Sequence, residues 1–140
     1  MKITLNCEDS KQCLKTYFEL IQFALPAQKK LSELEIKLLI IFLSLPEKFK
    51  YHRFSTIAKN KAMEIAKEEN WVLSRINVNN KIYSMIDKGV LRRDEDNVIY
   101  LNPALQKGVD KLLNRIENKE PMEVTFSCVG YNVTFMNTYN

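Results

Sequence analysis

The sequence predicts an α+β fold: a helical centre between two β-like ends, with a helix-turn-helix that feeds straight into a β-hairpin. Three observations carry this. The stretch Ile82 to Pro103, IYSMIDKGVLRRDEDNVIYLNP, reads as an amphipathic helix closed by Gly89, a short strand, a charged turn, a second strand and a proline-opened helix. Upstream of it lie helix-like segments with apolar residues at spacings of three and four. At the chain ends, Met1, Ile3, Leu5 and Cys7 alternate with polar residues, and the segment from Met122 to Asn140 carries Glu123 as its single charge among Val, Thr, Phe and Tyr.

Asp9 or Ser10 can cap a first helix whose apolar residues are Leu14, Tyr17, Phe18, Ile21 and Leu25, and Pro26 stops it. Ser32 with Glu35 forms a capping box for a second helix, ended by Pro46. Leu34, Leu38, Ile41 and Leu45 line one of its faces while Ile36, Leu39, Ile40 and Leu43 occupy others, so it must be covered on several sides. A third helix opens at Ser55 or Thr56, and its small face, Ala58, Ala62, Ile65 and Ala66, permits close packing; Asn70 ends it. The fourth turns Val78, Ile82, Met85 and Ile86 inward. After the hairpin, Asn102 and Pro103 open a last helix with the stripe Leu105, Val109, Leu112, Leu113 and Ile116, which packs on the first helix in a monomer or joins two copies in a dimer. The chain therefore reads as one domain, 1–140: a strand over 1–7, a helical body over 9–118 with its hairpin at about 90–101, and a β-hairpin tail over 122–140.

With 140 residues, 46% hydrophobic and 27% charged, the chain can bury a core without disulfide or metal. The longest apolar run, Leu38 to Leu43, falls well short of the roughly 20 residues that span a bilayer. MKITLNCEDSK has no signal-peptide core, so a cytoplasmic setting without membrane contact is expected. Cys7, Cys13 and Cys128 show no metal-ligand spacing, and His52 is the sole histidine; reduced thiols, no metal and no cofactor are expected. Catalysis has little to stand on. There is no phosphate-cradling loop in a chain of three glycines, no HExxH and no GxSxG.

Net charge is only +4, but its distribution is uneven. Between Glu47 and Arg93 eleven basic residues face five acidic ones, so this segment carries +6 and the remainder −2, the polarity of a surface that approaches phosphate. The polar flank of the fourth helix, Asn77, Asn80, Lys81, Ser84 and Lys88, suits duplex DNA. Asn offers a donor and an acceptor to adenine, Lys reaches guanine or phosphate, and Ser bonds to either. Arg75, Arg92 and Arg93 are the expected phosphate contacts, while Asp94, Glu95 and Asp96 at the hairpin tip would be repelled by a phosphate backbone.

The segment from Met63 to about Lys107, with Val78, Ile82, Met85, Ile86 and Gly89 in its spacing, resembles the winged-helix superfamily. The run from Ile99 to Leu105 is similar to the wing-to-helix junction of plasmid and phage replication-initiation or copy-maintenance proteins and, more distantly, of MarR-type regulators. The resemblance covers roughly a third of the chain. It implies a winged helix-turn-helix flanked by terminal helices, dimers or multimers, and a recognition helix in a major groove. A turn from Glu69 to Leu73 longer than the usual tight turn, and the acidic wing tip, depart from that pattern.

Two functions are open at this point. The first is double-stranded DNA binding in replication or transcription control of a plasmid or phage. The alternative is a non-enzymatic structural or adaptor protein of a virion or other assembly. The tail bears on the choice, because Val124, Phe126, Val133 and Phe135 need strand pairing, either with the N-terminal strand or with another chain. Self-association or a partner protein would then engage the terminal helices and β-ends.

Overall fold

The computed structural model describes residues 2–5, 9–22, 26–117, 122–127 and 132–136. The fold is α+β. In order, the described elements are β1 (Lys2–Leu5), α1 (Ser10–Ile21), α2 (Glu33–Leu43), α3 (Thr56–Glu68), α4 (Arg75–Asp87), β2 (Leu91–Arg93), β3 (Ile99–Leu101), α5 (Pro103–Glu117), β4 (Met122–Ser127) and β5 (Asn132–Met136). They form two compact units, Leu25–Asn102 and, separately, Met1–Ala24 with Pro103–Asn140.

In the Leu25–Asn102 unit each of the three α-helices begins at a side-chain cap. Ser32 Oγ accepts the Glu35 N–H at 3.1 Å and Glu35 Oε1 accepts the Ser32 N–H at 2.9 Å, the reciprocal box expected for α2. Ser55 caps α3 through the Ala58 N–H, and Ser74 pairs with Asn77 in a second capping box that opens α4. α2 is buried along most of its length, although Leu34, in its first turn, is half exposed rather than part of the inner face. The Phe42 ring lies 4.8 Å from that of Phe54. Arg53 Nη1 donates to the carbonyls of Phe42, Leu43 and Leu45 at 3.5, 3.4 and 3.4 Å, so this cation serves the end of α2.

α3 packs against α2 and α4, and its fully buried residues Ala58, Ala62 and Ala66 allow the backbones to approach closely. Asn70, at φ 61°, ends it: the Trp71 N–H reaches Ala66 O at 2.8 Å and the Asn70 N–H reaches Lys67 O at 3.0 Å. The longer turn that follows is tethered to α2, with Lys37 Nζ 4.6 Å from the centroid of the Trp71 ring. α4 buries Val78, Ile82 and Met85 and stops in the same way at Gly89, whose φ of 81° an L side chain rarely adopts. Here the Val90 and Gly89 N–H groups bond to Met85 O and Ile86 O, both at 3.0 Å.

β2 and β3 then pair antiparallel, Leu91 with Leu101, Arg92 with Tyr100 and Arg93 with Ile99. Leu91 and Leu101 are buried. At the tip, Asp94 Oδ1 accepts the N–H groups of Asp96 at 2.8 Å and Val98 at 2.9 Å, and Asn97 takes a left-handed φ of 62°. Asp94 is therefore a turn-forming residue; Glu95 and Asp96 are the charges left at the tip. Asn102 closes the hairpin onto α4, donating from its backbone to Val90 O and from its side chain to Gly89 O, both at 2.9 Å.

In the other unit the chain ends form a three-stranded antiparallel sheet in the order β1-β4-β5. β1 pairs with β4, for example Ile3 with Val124, and β4 pairs with β5, Val124 opposite Phe135 and Phe126 opposite Val133. The intramolecular pairing expected for the tail is thus present. An interface role for Val124, Phe126, Val133 and Phe135 rests on side chains that lie outside the described residues.

α1 starts at Asp9, whose carboxylate accepts the Lys11 N–H, and packs on α5 through a face that includes Leu14, Tyr17 and Phe18. On α5, Val109 and Leu112 are buried, so the apolar stripe has a partner within the chain. Burial pushes the Tyr17 phenol up to about 12, and the hydroxyl donates to Leu105 O at 3.4 Å. Gly108 makes room for this ring: a Cβ there would lie 2.8 Å from Tyr17 Cζ and would overlap the hydroxyl. Gly108→Ala should therefore destabilise the protein by about 1–3 kcal/mol from overpacking, against about 1 kcal/mol gained in helix propensity. Adding Tyr17→Phe should recover part of the loss in urea unfolding, because it removes the nearest atom.

Cys13 is buried and disulfide-bonded, which overturns the expectation of three reduced thiols. Cys7 and Cys128 lie outside the described residues. No described helix is long and apolar enough to cross a membrane.

Candidate nucleic-acid interface

The C-terminal end of α4 is fastened to its surroundings. Lys88 Nζ lies 2.5 Å from Glu35 Oε1, with the Lys88 side chain 18% and the Glu35 side chain 5% exposed. Lys29 Nζ donates to Asp87 O at 2.7 Å, a cation placed on the negative end of the helix dipole. Burial pushes the Glu35 carboxyl up, but the hydrogen bonds from Lys88, the Ser32 N–H, Ser84 and the Ser32 hydroxyl outweigh it and hold the group below the usual carboxylate range.

These bonds revise the recognition flank expected from sequence. Lys88 is consumed by Glu35, and Ser84 is half-buried on the same side of the helix. Asn77 is occupied with Ser74: its Oδ1 accepts the Ser74 hydroxyl at 2.7 Å and the Ser74 N–H at 3.4 Å. Two of the five residues, Lys88 and Asn77, therefore shape the helix and its seat. Lys81 is half-buried, and Asn80 is exposed. The reason is positional, since the flank bearing residues 84 and 88 turns toward the start of α2.

With Val78, Ile82 and Met85 inward, the helical period places Ile76, Asn80, Tyr83 and Asp87 outward, and all four are exposed. Beside this ridge, on the flank toward α3 and the hairpin, the fold gathers cations from three elements. The Arg75 guanidinium, from the first turn of α4, donates to Asn60 Oδ1 of α3. The Arg93 guanidinium, from the base of the hairpin, lies over Tyr83, its Cζ 5.5 Å from the ring centroid. Lys59 of α3 is close enough to both to feel them: burial first, then repulsion from Arg75 and from Arg93, holds its ammonium below the usual lysine range. Arg92 is exposed on the opposite face of β2, across from Tyr100.

Neither α3 nor α4 has an acidic residue in its first turn, so both positive helix ends are uncompensated by the helix's own side chains. Asp87 marks the far end of the α4 ridge. Lys59, Tyr83 and Ile76 were absent from the residues singled out by sequence, although the inward spacing of Val78, Ile82 and Met85 already fixes the outward positions. Among the described residues no group of three or more His, Cys, Asp or Glu side chains could hold a metal ion. Comparisons with protein-family models, with curated proteins and with solved structures find no match to this chain.

Proposed function

We propose that the Leu25–Asn102 unit is a winged helix-turn-helix that binds duplex DNA, with the N-terminal half of α4 directed at the major groove. The observation that carries this reading is the convergence of Lys59, Arg75 and Arg93, from three separate elements, on one surface beside the exposed ridge of α4. Burial first, and then the like charges of Arg75 and Arg93, disfavour the Lys59 ammonium, and a polyanion relieves the repulsive part. In a helix-turn-helix the first helix meets the backbone and the N-terminal residues of the second meet base edges. α3 with Lys59 and α4 with Arg75 correspond to those parts. In this reading such binding serves replication or transcription control, as the sequence resemblance to plasmid and phage proteins implies.

Fluorescence anisotropy of a labelled random-sequence duplex at several salt concentrations tests this. Three phosphate contacts give a log–log salt slope of about −2.7 or steeper. Absence of binding at about 50 mM salt, where ionic contacts are strongest, would overturn the reading.

The adaptor alternative draws on a different observation. Ile57 and Val72 are 71% and 84% exposed, and Glu95 and Asp96 keep the hairpin tip acidic. A protein partner would use those apolar positions, and its binding would vary little with salt.

A further inference from the structure

Attraction to phosphate does not require an exposed isoleucine, yet α4 presents one. Ile76, the second residue of the helix, is 71% exposed, and Asn80 follows one turn later on the same outward ridge. Arg75 precedes Ile76 and is held by Asn60, so the pair sits at the cationic, N-terminal end of the helix rather than at the end marked by Asp87. Side chains at that end of a recognition helix meet base edges.

The two residue types differ in what they can read. An isoleucine makes no hydrogen bond, and the apolar group that the major groove offers is the C5 methyl of thymine. An asparagine amide matches the N7 acceptor and N6 donor of adenine. A guanine–cytosine pair has neither the methyl nor that donor–acceptor order.

We infer that this protein prefers A·T steps read in the major groove, with Ile76 covering a thymine methyl and Asn80 bonded to an adenine edge. The inference rests on the DNA-binding reading and adds the base class and the two specificity-determining residues. Charge complementarity selects nucleic acid over a protein partner for this ridge, because Lys59, Arg75 and Arg93 flank it.

The test uses the full chain and three duplexes of equal length, alternating dA-dT, the same duplex with uracil in place of thymine, and alternating dG-dC, measured by anisotropy at one salt concentration. Uracil lacks only the C5 methyl. Wild type should bind the thymine duplex about fourfold tighter than the uracil duplex, the effect of one buried methyl-sized group. Ile76→Ala should erase that difference and keep the salt slope, and its fold should persist because the side chain is exposed. Asn80→Ala should lower preference for dA-dT over dG-dC by about tenfold. Equal wild-type binding to the thymine and uracil duplexes, or a difference that survives in Ile76→Ala, would overturn the inference and leave DNA binding standing. Failure to bind any of the three duplexes would remove both.

Discussion

Replacing Lys59, Arg75 and Arg93 together with alanine should reduce the salt slope of DNA binding by about 2.7, about 0.9 for each phosphate that is no longer neutralised. At about 0.1 M salt that corresponds to about a 500-fold weaker complex when the non-ionic part of binding is unchanged. Each single variant should remove about a third of the slope. Lys67→Ala, at the exposed C-terminal end of α3, should leave it as in wild type. Stability separates a weakened interface from an unfolded protein. Because burial and then repulsion from Arg75 and Arg93 disfavour the Lys59 ammonium, Lys59→Ala should keep or raise the thermal midpoint seen by circular dichroism. A triple variant with the wild-type slope would exclude this cluster from the interface.

The second large effect concerns the seat of α4. Glu35→Ala should destabilise the protein by about 3 kcal/mol, the low end of the range for breaking a buried ion pair, because Lys88 retains partial access to water. Removing the capping bond to Ser32 adds to this by about 1 kcal/mol. The double variant Glu35→Leu with Lys88→Met should recover most of the stability, since no unpaired charge then remains. The pH dependence has a defined sign. The Glu35 carboxyl is depressed in the folded state, so its contribution is present above the unfolded value of about 4.3 and is lost as pH falls through the folded value. Urea unfolding from pH 7 downward should show wild type losing this contribution and Glu35→Ala lacking it. An alanine variant within about 0.5 kcal/mol of wild type at pH 7 would show that the pair does not anchor α4.

Loss of the anchor should also be felt at the ridge. Lys88, Lys29 and Asn102 hold the C-terminal end of α4 and its exit, while its first turn carries Arg75 and Ile76. A helix fixed at one end presents the other at a defined angle.

Local chemistry was legible in the sequence because its causes lie within a few residues of one another. The Ser32–Glu35 capping box, the glycine stop at Gly89, the alanine face of α3 and the inward positions of α4 all follow from spacing. The pairing of the N-terminal strand with the tail was readable too, because uncharged Val, Thr and Phe in alternation need covered edges. Ser74 with Asn77 was readable in principle, as a serine followed at the third position by an amide.

What tertiary structure alone decided is which polar side chains remain available. Lys88 and Glu35 stand 53 positions apart, and no local pattern announces that one consumes the other. Arg53 and Asp94 likewise count as surface charges in a sequence but serve the end of α2 and the turn of the β2–β3 hairpin once folded. Conversely, Lys59, Arg75 and Arg93 become one cluster only when α3, α4 and β2 are brought together. A helical period fixes which residues share a face. Which flank of that face meets a neighbour depends on interactions between distant segments, and those are set by packing of the whole unit.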